Sequence, residues 1–198
     1  PGWAAQDPDL TSLRNDPRWA SVQAYLQELR KFWAAQAVLR TSLIAPKDLQ
    51  KDRPIPVVIG LHGLGGNESF VNDGYQAIAD RMGIAFVGVS GTVPLGPKAF
   101  AWSEDLARDG QHVRAALDSL GGKVTPAPGK TVLFGFSQGA QLAFALSVKH
   151  PDLFAGAVCL SPGWRSEIAP PSDDVDDLSN ASQRYVFVAG AGEHPDTV

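Results

Sequence analysis

Apolar runs of strand length alternate along this chain with stretches whose apolar residues recur at helical spacing. The strand-like runs are residues 37–44, 55–61, 84–89, 131–136, 155–160 and 185–189. One helical stretch begins near Asp73 and stops at Gly83, and another starts at a Ser103 cap and stops at Gly121. This alternation predicts an α/β fold with a doubly wound, mostly parallel sheet.

The first 36 residues show a different pattern. Asn15-Asp16-Pro17 is typical of the start of a helix. The apolar residues that follow at helical spacing are Trp19, Val22, Leu26, Leu29 and Trp33. This stripe indicates a helix packed against the rest of the protein, or alternatively a lid or lipid-contacting helix. The sequence therefore predicts a helical extension over residues 1–36 and an α/β domain over residues 37–198.

The pentapeptide Gly135-Phe136-Ser137-Gln138-Gly139 lies between an apolar run and a helix-like stretch. A serine flanked by glycines at a strand-to-helix junction is typical of a nucleophile elbow, because no bulky side chain can crowd so tight a turn. The helix N-terminus behind such a serine stabilises developing negative charge. Ser137 is therefore the candidate nucleophile.

A second glycine-rich segment, Leu61-His62-Gly63-Leu64-Gly65-Gly66, follows the strand-like run 55–59. Acyl transfer requires two backbone N–H groups aimed at the oxyanion of the tetrahedral intermediate. One comes from the residue after the nucleophile, here Gln138, and the other from an early strand-end loop. Leu64 is the candidate for the second donor, because the glycines around it allow its N–H to turn towards Ser137.

These two motifs, at residues 61–66 and 135–139, resemble those of the phospholipase/carboxylesterase (acyl-protein thioesterase-like) and polyhydroxybutyrate-depolymerase-like esterases of the α/β-hydrolase superfamily. The segment 150–158 is similar to that group as well. The resemblance covers residues 55–193. It implies an α/β-hydrolase fold and a serine hydrolase that cleaves carboxylic esters or thioesters through an acyl-enzyme, without a metal or other cofactor.

The resemblance also places the acid of a catalytic triad in the loop after the run 185–189. Counting from the strand-end residue Gly190 favours Glu193, whereas the preference for aspartate favours Asp196. Both remain candidates. The acid would hold the catalytic imidazole in the right tautomer and stabilise its cation.

None of the four histidines is well placed for that imidazole. His62 belongs to the oxyanion motif, His112 lies in a predicted helix, and His150 ends the nucleophile helix. His194 lies on the acid loop, and could serve only if the acid came from residues 173–177.

We therefore expect the sequence to be the N-terminal piece of a longer hydrolase whose catalytic histidine lies beyond Val198. Such a piece leaves the strand at 185–189 with unpaired backbone along one edge. A partner segment or a second copy is predicted to cover this edge after residue 189.

Three aromatic residues, Phe70, Phe100 and Trp102, are predicted to rim the mouth of the site, beside a rigid loop over residues 91–97. Such a rim suits an apolar acyl group or an aromatic ester, which makes a small-molecule or lipid-like ester the expected substrate. Ordinary packing under loops is the alternative interpretation. The same constellation also serves peptidases and polyester depolymerases, and a non-catalytic binding protein with this fold is a further hypothesis.

Composition removes several other classes. A hydrophobic fraction of 44% with 19% charged residues argues against disorder. A net charge of −4 without a basic cluster gives no case for nucleic acid. The apolar runs are too short to predict an integral membrane segment, and Cys159 lies in an apolar run that indicates a buried thiol. No metal motif or dinucleotide fingerprint occurs. The compartment stays open between the cytoplasm and export.

Overall fold

The computed structural model describes residues 7–36, 38, 40–50, 52–103, 105–162 and 182–192. Two compact units are present, residues 1–37 and residues 38–198.

The first unit is helical. A 3₁₀ turn at Pro8–Leu10 leads into helix α1 (Thr11–Arg14), and helix α2 (Trp19–Ala35) follows. The more sheltered residues of α2 are Trp19, Gln23, Leu26, Leu29 and Trp33. Val22, predicted to belong to this stripe, is 47% exposed.

The second unit contains the sheet. The described residues form eight strands: β1 (Thr41–Ile44), β2 (Ile55–Leu61), β3 (Ala85–Val89), β4 (Val93–Gly96), β5 (Ala99–Ala101), β6 (Pro126–Phe136), β7 (Gly156–Leu160) and β8 (Arg184–Val188). Six of them form one sheet in the order β1-β3-β2-β6-β7-β8. Only β1, which pairs with β3, is antiparallel to its neighbour in this sheet. The predicted α/β, mostly parallel sheet is confirmed.

A small hairpin stands apart from this sheet. Strands β4 and β5 pair with each other in antiparallel fashion, in the segment that the sequence predicts to be a rigid loop. Pro94 and Pro97 favour the loop prediction, because proline cannot donate to a ladder. In a hairpin of two short strands, each strand is hydrogen-bonded along one edge only. Both prolines are therefore tolerated.

Within the described ranges, three α-helices accompany the sheet: α3 (Gln76–Met82), α4 (Leu106–Asp118) and α5 (Gln138–Lys149). Gly83 ends α3 at φ 64°, in the left-handed conformation that glycine adopts at little cost. The cap of α4 is Asp105, whose carboxylate accepts the N–H groups of Ala107 and Arg108, each at 3.0 Å. Ser103, the predicted cap, lies two residues earlier.

The core lies between the central strands and the helices, with β3 buried along its whole length. Cys159 is fully buried in it, and burial raises the pKa of this thiol to about 12, so that it stays protonated. The chain runs from β2 to β3 on one side and later adds β6 on the other side of β2. A doubly wound sheet has its crevice where the winding reverses, here at the carboxyl ends of β2 and β6.

Candidate active site

Ser137 occupies the tight turn between β6 and α5. Its backbone has φ 51° and ψ −121°, a strained conformation for a residue with a side chain. The Ser137 N–H donates to the carbonyl oxygen of Leu160 at 2.9 Å, which ties the turn to the end of the neighbouring strand β7. This geometry is that of a nucleophile elbow.

Gly135 and Gly139 allow the elbow to close. A Cβ on Gly135 would lie 2.2 Å from the carbonyl oxygen of Gly139, and a Cβ on Gly139 would lie 2.1 Å from that of Leu61. Both clashes are with backbone, which cannot move aside as a side chain can. The two glycines are therefore required by close approach, one inside the turn and the other against the end of β2.

The loop after β2 approaches the elbow from the other side. A Cβ on Gly63 would lie 3.3 Å from the Cβ of Ser137. The Gly65 N–H donates to the Phe100 carbonyl at 2.8 Å, and the Phe100 N–H donates to the Gly66 carbonyl at 2.9 Å. Strand β5 thus holds the far side of this loop through backbone hydrogen bonds.

The predicted oxyanion donors are the backbone N–H groups of Leu64 and Gln138. Leu64 is 64% exposed on the loop after β2, and Gln138 directly follows Ser137 as the first residue of α5. Neither N–H group has an acceptor among the residues that the structure describes.

His62 is buried behind the loop, with a partner at each ring nitrogen. Its Nε2 accepts the N–H of Gly91 at 2.8 Å, so the proton is on Nδ1, which donates to the Gly63 carbonyl at 2.6 Å. Burial lowers the pKa of this imidazole, against the opposing effects of the Gly63 hydrogen bond and the Glu68 charge. With both nitrogens engaged, His62 is a structural residue and not a general base.

The other histidines of the described residues are no better placed. The Nε2 of His112 pairs with the carbonyl oxygen of Ser90 at 2.9 Å. His150 follows the 12-residue helix α5, and so lies about 18 Å along the helix axis from Ser137. The remaining triad candidates, Glu193, Asp196 and His194, fall outside the described residues, as do residues 173–177.

An open cleft of about 320 Å³ lies beside the elbow. Its lining residues are His62, Gly63, Leu64, Gly66, Asn67, Ser69, Phe70 and Phe136. Phe70, predicted at the mouth, is therefore in the wall. Phe136 directly precedes Ser137 and is 45% exposed. The sequence does not predict this exposure, because Phe136 ends an apolar run that is typical of a buried strand.

Phe100 and Trp102 do not line this cleft. Each is only 3% exposed, because the backbone of Phe100 is bonded to the oxyanion loop and the indole of Trp102 stacks on His62. The ring centroids of Trp102 and His62 are 5.2 Å apart, with 28° between the planes. The prediction that Phe100 and Trp102 rim the mouth of the site is therefore wrong. Both residues support the loop after β2 from beneath.

The side chain of Gln138 makes contacts that cannot be predicted from the sequence. Its Oε1 accepts the Trp102 N–H and its Nε2 donates to the Trp102 carbonyl, both at 3.0 Å. The indole Nε1–H of Trp102 in turn donates to the carbonyl of His62 at 2.8 Å. Three residues that are distant in sequence are thereby joined directly behind the site.

Asp109, in α4, is a second buried polar residue that sequence reasoning missed. Its carboxylate accepts hydrogen bonds from the Thr92 hydroxyl and, at 2.8 Å, from the Ser103 N–H. Burial raises the pKa of this carboxyl, and the hydrogen bonds oppose that effect. Asp109 therefore joins the segments before β4 and after β5. Nothing in its sequence neighbourhood distinguishes it from a surface acid of the first helical turn.

The fold and the elbow together define an α/β-hydrolase. A carboxylesterase from Bacillus cereus is similar in structure, with a TM-score of 0.54, 20% identity, and coverage of 83% of this chain and 91% of that one. A thermophilic esterase from Thermogutta terrifontis gives a TM-score of 0.56 at 14% identity, over 79% of this chain and 78% of the other. At these identities the similarity is one of fold.

Residues 36–186 match the family described as “Putative esterase”, and the chain belongs to that family. A relative from Nocardia uniformis subsp. tsuyamanensis, named “Putative esterase NocK”, is 32% identical over 130 residues. The match covers 62% of this chain and 37% of that protein, so this chain spans little more than a third of the relative's length.

No group of three or more metal-ligating side chains occurs among the described residues. Among the same residues, no helix has the length and apolarity to cross a membrane.

Proposed function

We propose that the protein is a carboxylesterase-type serine hydrolase that cleaves carboxylic esters or thioesters through an acyl-enzyme, with Ser137 as nucleophile. The observation that supports this most strongly is the strained backbone of Ser137, beside the N–H groups of Leu64 and Gln138, which have no acceptor in the part of the chain that the structure describes. Strain at a non-glycine residue persists only where the surrounding structure enforces it, and such residues cluster at active sites.

In this mechanism the Ser137 Oγ attacks the carbonyl carbon and its proton passes to a general base. The N–H groups of Leu64 and Gln138 bind the oxyanion, and the base then protonates the departing alcohol or thiol. Water attacks the acyl-enzyme in the same way and restores the serine. The base would be a histidine outside the described residues, oriented by Glu193 or Asp196.

The cleft beside Ser137 suits an apolar part of the substrate. Leu64, Phe70 and Phe136 supply apolar wall, and Asn67 and Ser69 a polar side. A volume of about 320 Å³ accommodates a short alkyl or a single aryl group. The proposed substrates are therefore small-molecule esters with such a group.

Covering of the β8 edge by a partner segment or a second copy also remains a proposal. Val186, Phe187 and Val188 are 46–54% exposed, and an exposed apolar edge strand invites pairing. Sedimentation velocity over a range of concentrations tests the second-copy version. A strictly monomeric protein would contradict it.

Ester hydrolysis is tested by combining a fluorophosphonate with intact-mass measurement and turnover of p-nitrophenyl esters. We expect the full-length protein, with its catalytic histidine, to form one adduct per chain and to turn over esters, and both to be abolished in Ser137→Ala. Ser119→Ala, in the cap at the end of α4, is the matched control and should retain both. A full-length protein that forms no adduct and turns over no ester, or an adduct that persists in Ser137→Ala, would refute the proposal. Comparison with thioesters, a peptide and an insoluble polyester identifies the preferred bond.

A further inference from the structure

The two oxyanion donors come from separate segments, yet one set of contacts connects them. We define the Gln138–Trp102–His62 bridge as these three residues with the hydrogen bonds between them. It begins at the side-chain amide of Gln138, passes through both backbone groups and the indole of Trp102, and ends at the backbone and ring of His62.

At one end, the bridge holds Gln138 in a single orientation. A backbone N–H and a backbone C=O of the same residue, Trp102, face its Oε1 and Nε2, so a flipped amide would lose both hydrogen bonds. The side chain so fixed belongs to the residue whose own N–H is an oxyanion donor.

At the other end, the bridge fixes a peptide plane. The carbonyl of Gly63 and the N–H of Leu64 belong to one peptide unit, and in a trans peptide they point in opposite directions. His62 Nδ1–H donates to that carbonyl at 2.6 Å. The Gly66 N–H donates to the same carbonyl at 3.0 Å. The imidazole and this N–H together set the direction of the Leu64 N–H and, by polarising the amide, make it a better donor.

The middle of the bridge is rigid and dry. Trp102 and His62 are 3% and 1% exposed, and their rings stack. Gly91 closes the far side by donating its N–H to His62 at 2.8 Å. A displacement at either end is therefore transmitted by packed and bonded groups.

We propose that Trp102 and His62 are positioning residues, and that the Gln138–Trp102–His62 bridge keeps the Leu64 and Gln138 N–H groups at the spacing that binds the oxyanion. The inference rests on the proposed function. It adds a role for three side chains that do not themselves touch the reacting atoms.

The test compares Trp102→Phe, which removes one N–H, Gln138→Leu, which removes the amide, and the double variant. The control is Gln183→Leu, because Gln183 is also buried and donates to two backbone carbonyls, those of Ser147 and Phe154. All are made in the full chain and assayed for kcat and KM with p-nitrophenyl acetate. Thermal unfolding shows which variants are folded.

We expect kcat to fall about tenfold in Trp102→Phe and about a hundredfold in Gln138→Leu, with KM within about twofold of the parent, since the oxyanion forms only in the transition state. The double variant should lose less than the product, because both changes break one connection. Gln183→Leu should be less stable with unchanged kcat. Unchanged kcat in both bridge variants, or strictly multiplicative losses, would overturn the proposal.

Hydrogen exchange of residues 61–66 gives a reading that needs no turnover. In Gln138→Leu these amides should exchange faster although the substitution lies on another segment, and in Gln183→Leu they should not. If Gln138→Leu is unfolded, Trp102→Phe replaces it in this comparison. Unaltered exchange of these amides in the bridge variant would overturn the proposal, even if the enzyme is active. A parent protein without ester turnover refutes the proposed function alone.

Discussion

The two sides of the candidate site are held by different forces. The elbow at Ser137 is fixed by steric exclusion, since backbone passes within about 2 Å of the positions where Gly135 and Gly139 would carry a Cβ. The loop after β2 has an exposed tip at Leu64 and is held from below by hydrogen bonds to His62 and the backbone of Phe100.

The two kinds of support should respond differently to substitution. A side chain added at either glycine cannot be accommodated in part, because a clash of this size with backbone must be relieved by moving a strand or a helix. A hydrogen-bonded support loses one contact at a time, so its geometry and its rate contribution decline in steps.

Gly135→Ala and Gly139→Ala should each destabilise the protein by about 3 kcal/mol or more, because the new methyl group meets backbone. Denaturant unfolding followed by circular dichroism measures this loss. Gly121→Ala is the control, since its Cβ would lie 3.7 Å from the nearest atom, an ordinary contact. Equal stability of Gly139→Ala and Gly121→Ala would show that the elbow is not sterically fixed.

Lowering the pH should reduce the stability of the folded protein through His62, which lies behind the loop after β2. Burial lowers the pKa of His62 from its ordinary 6.5, so the unfolded chain binds this proton more readily than the folded one. The stabilisation is therefore complete above about pH 6.5 and declines as the pH falls below that value. Burial lowers the pKa of His112 as well, and both should contribute to a fall in stability between about pH 7 and pH 5.

Unfolding free energy measured across that range checks the prediction, with variants that separate the two histidines. His112→Gln keeps a donor for the Ser90 carbonyl but cannot titrate, so the slope that remains reports His62. A flat profile in His112→Gln would contradict neutral burial of His62.

Ser137→Gly should be more stable than Ser137→Ala by about 1 kcal/mol, because glycine adopts φ 51° without the strain of a Cβ. Chemical denaturation resolves the difference. Ser119 is the matched site, with φ −68°, and there the order should reverse. If alanine is the more stable residue at both positions, the elbow stores no strain.

Much of the fold could be predicted from the sequence because the parallel strands β2, β3 and β7 are largely buried on both faces and read as continuous apolar runs. β2 was predicted at its observed bounds, and β3 and β7 within one residue. The hairpin β4–β5 was missed since its prolines and glycines are equally typical of a loop.

Local motifs likewise predict Ser137 and the loop at Leu64, because a tight turn imposes its glycines on neighbouring positions. The contacts of Trp102 with Gln138 and His62 depend on how strand β5 meets the elbow, and no local pattern records that meeting. An aromatic residue in a connecting segment satisfies the sequence pattern whether it lines the cleft, as Phe70 does, or is buried in the interior, as Phe100 is.

The hydrogen bond from the Ser137 N–H to Leu160 has a counterpart one strand further on. There the Ser161 N–H donates to the Val188 carbonyl at 2.7 Å. Ladder pairing thus continues for one residue past the ends of β6 and β7. The segments that leave β7 and β8 begin from anchored points, so insertions or exchanged loops beyond them need not move the serine. Substrate preference within such a family can then diversify by loop replacement while the nucleophile stays in place.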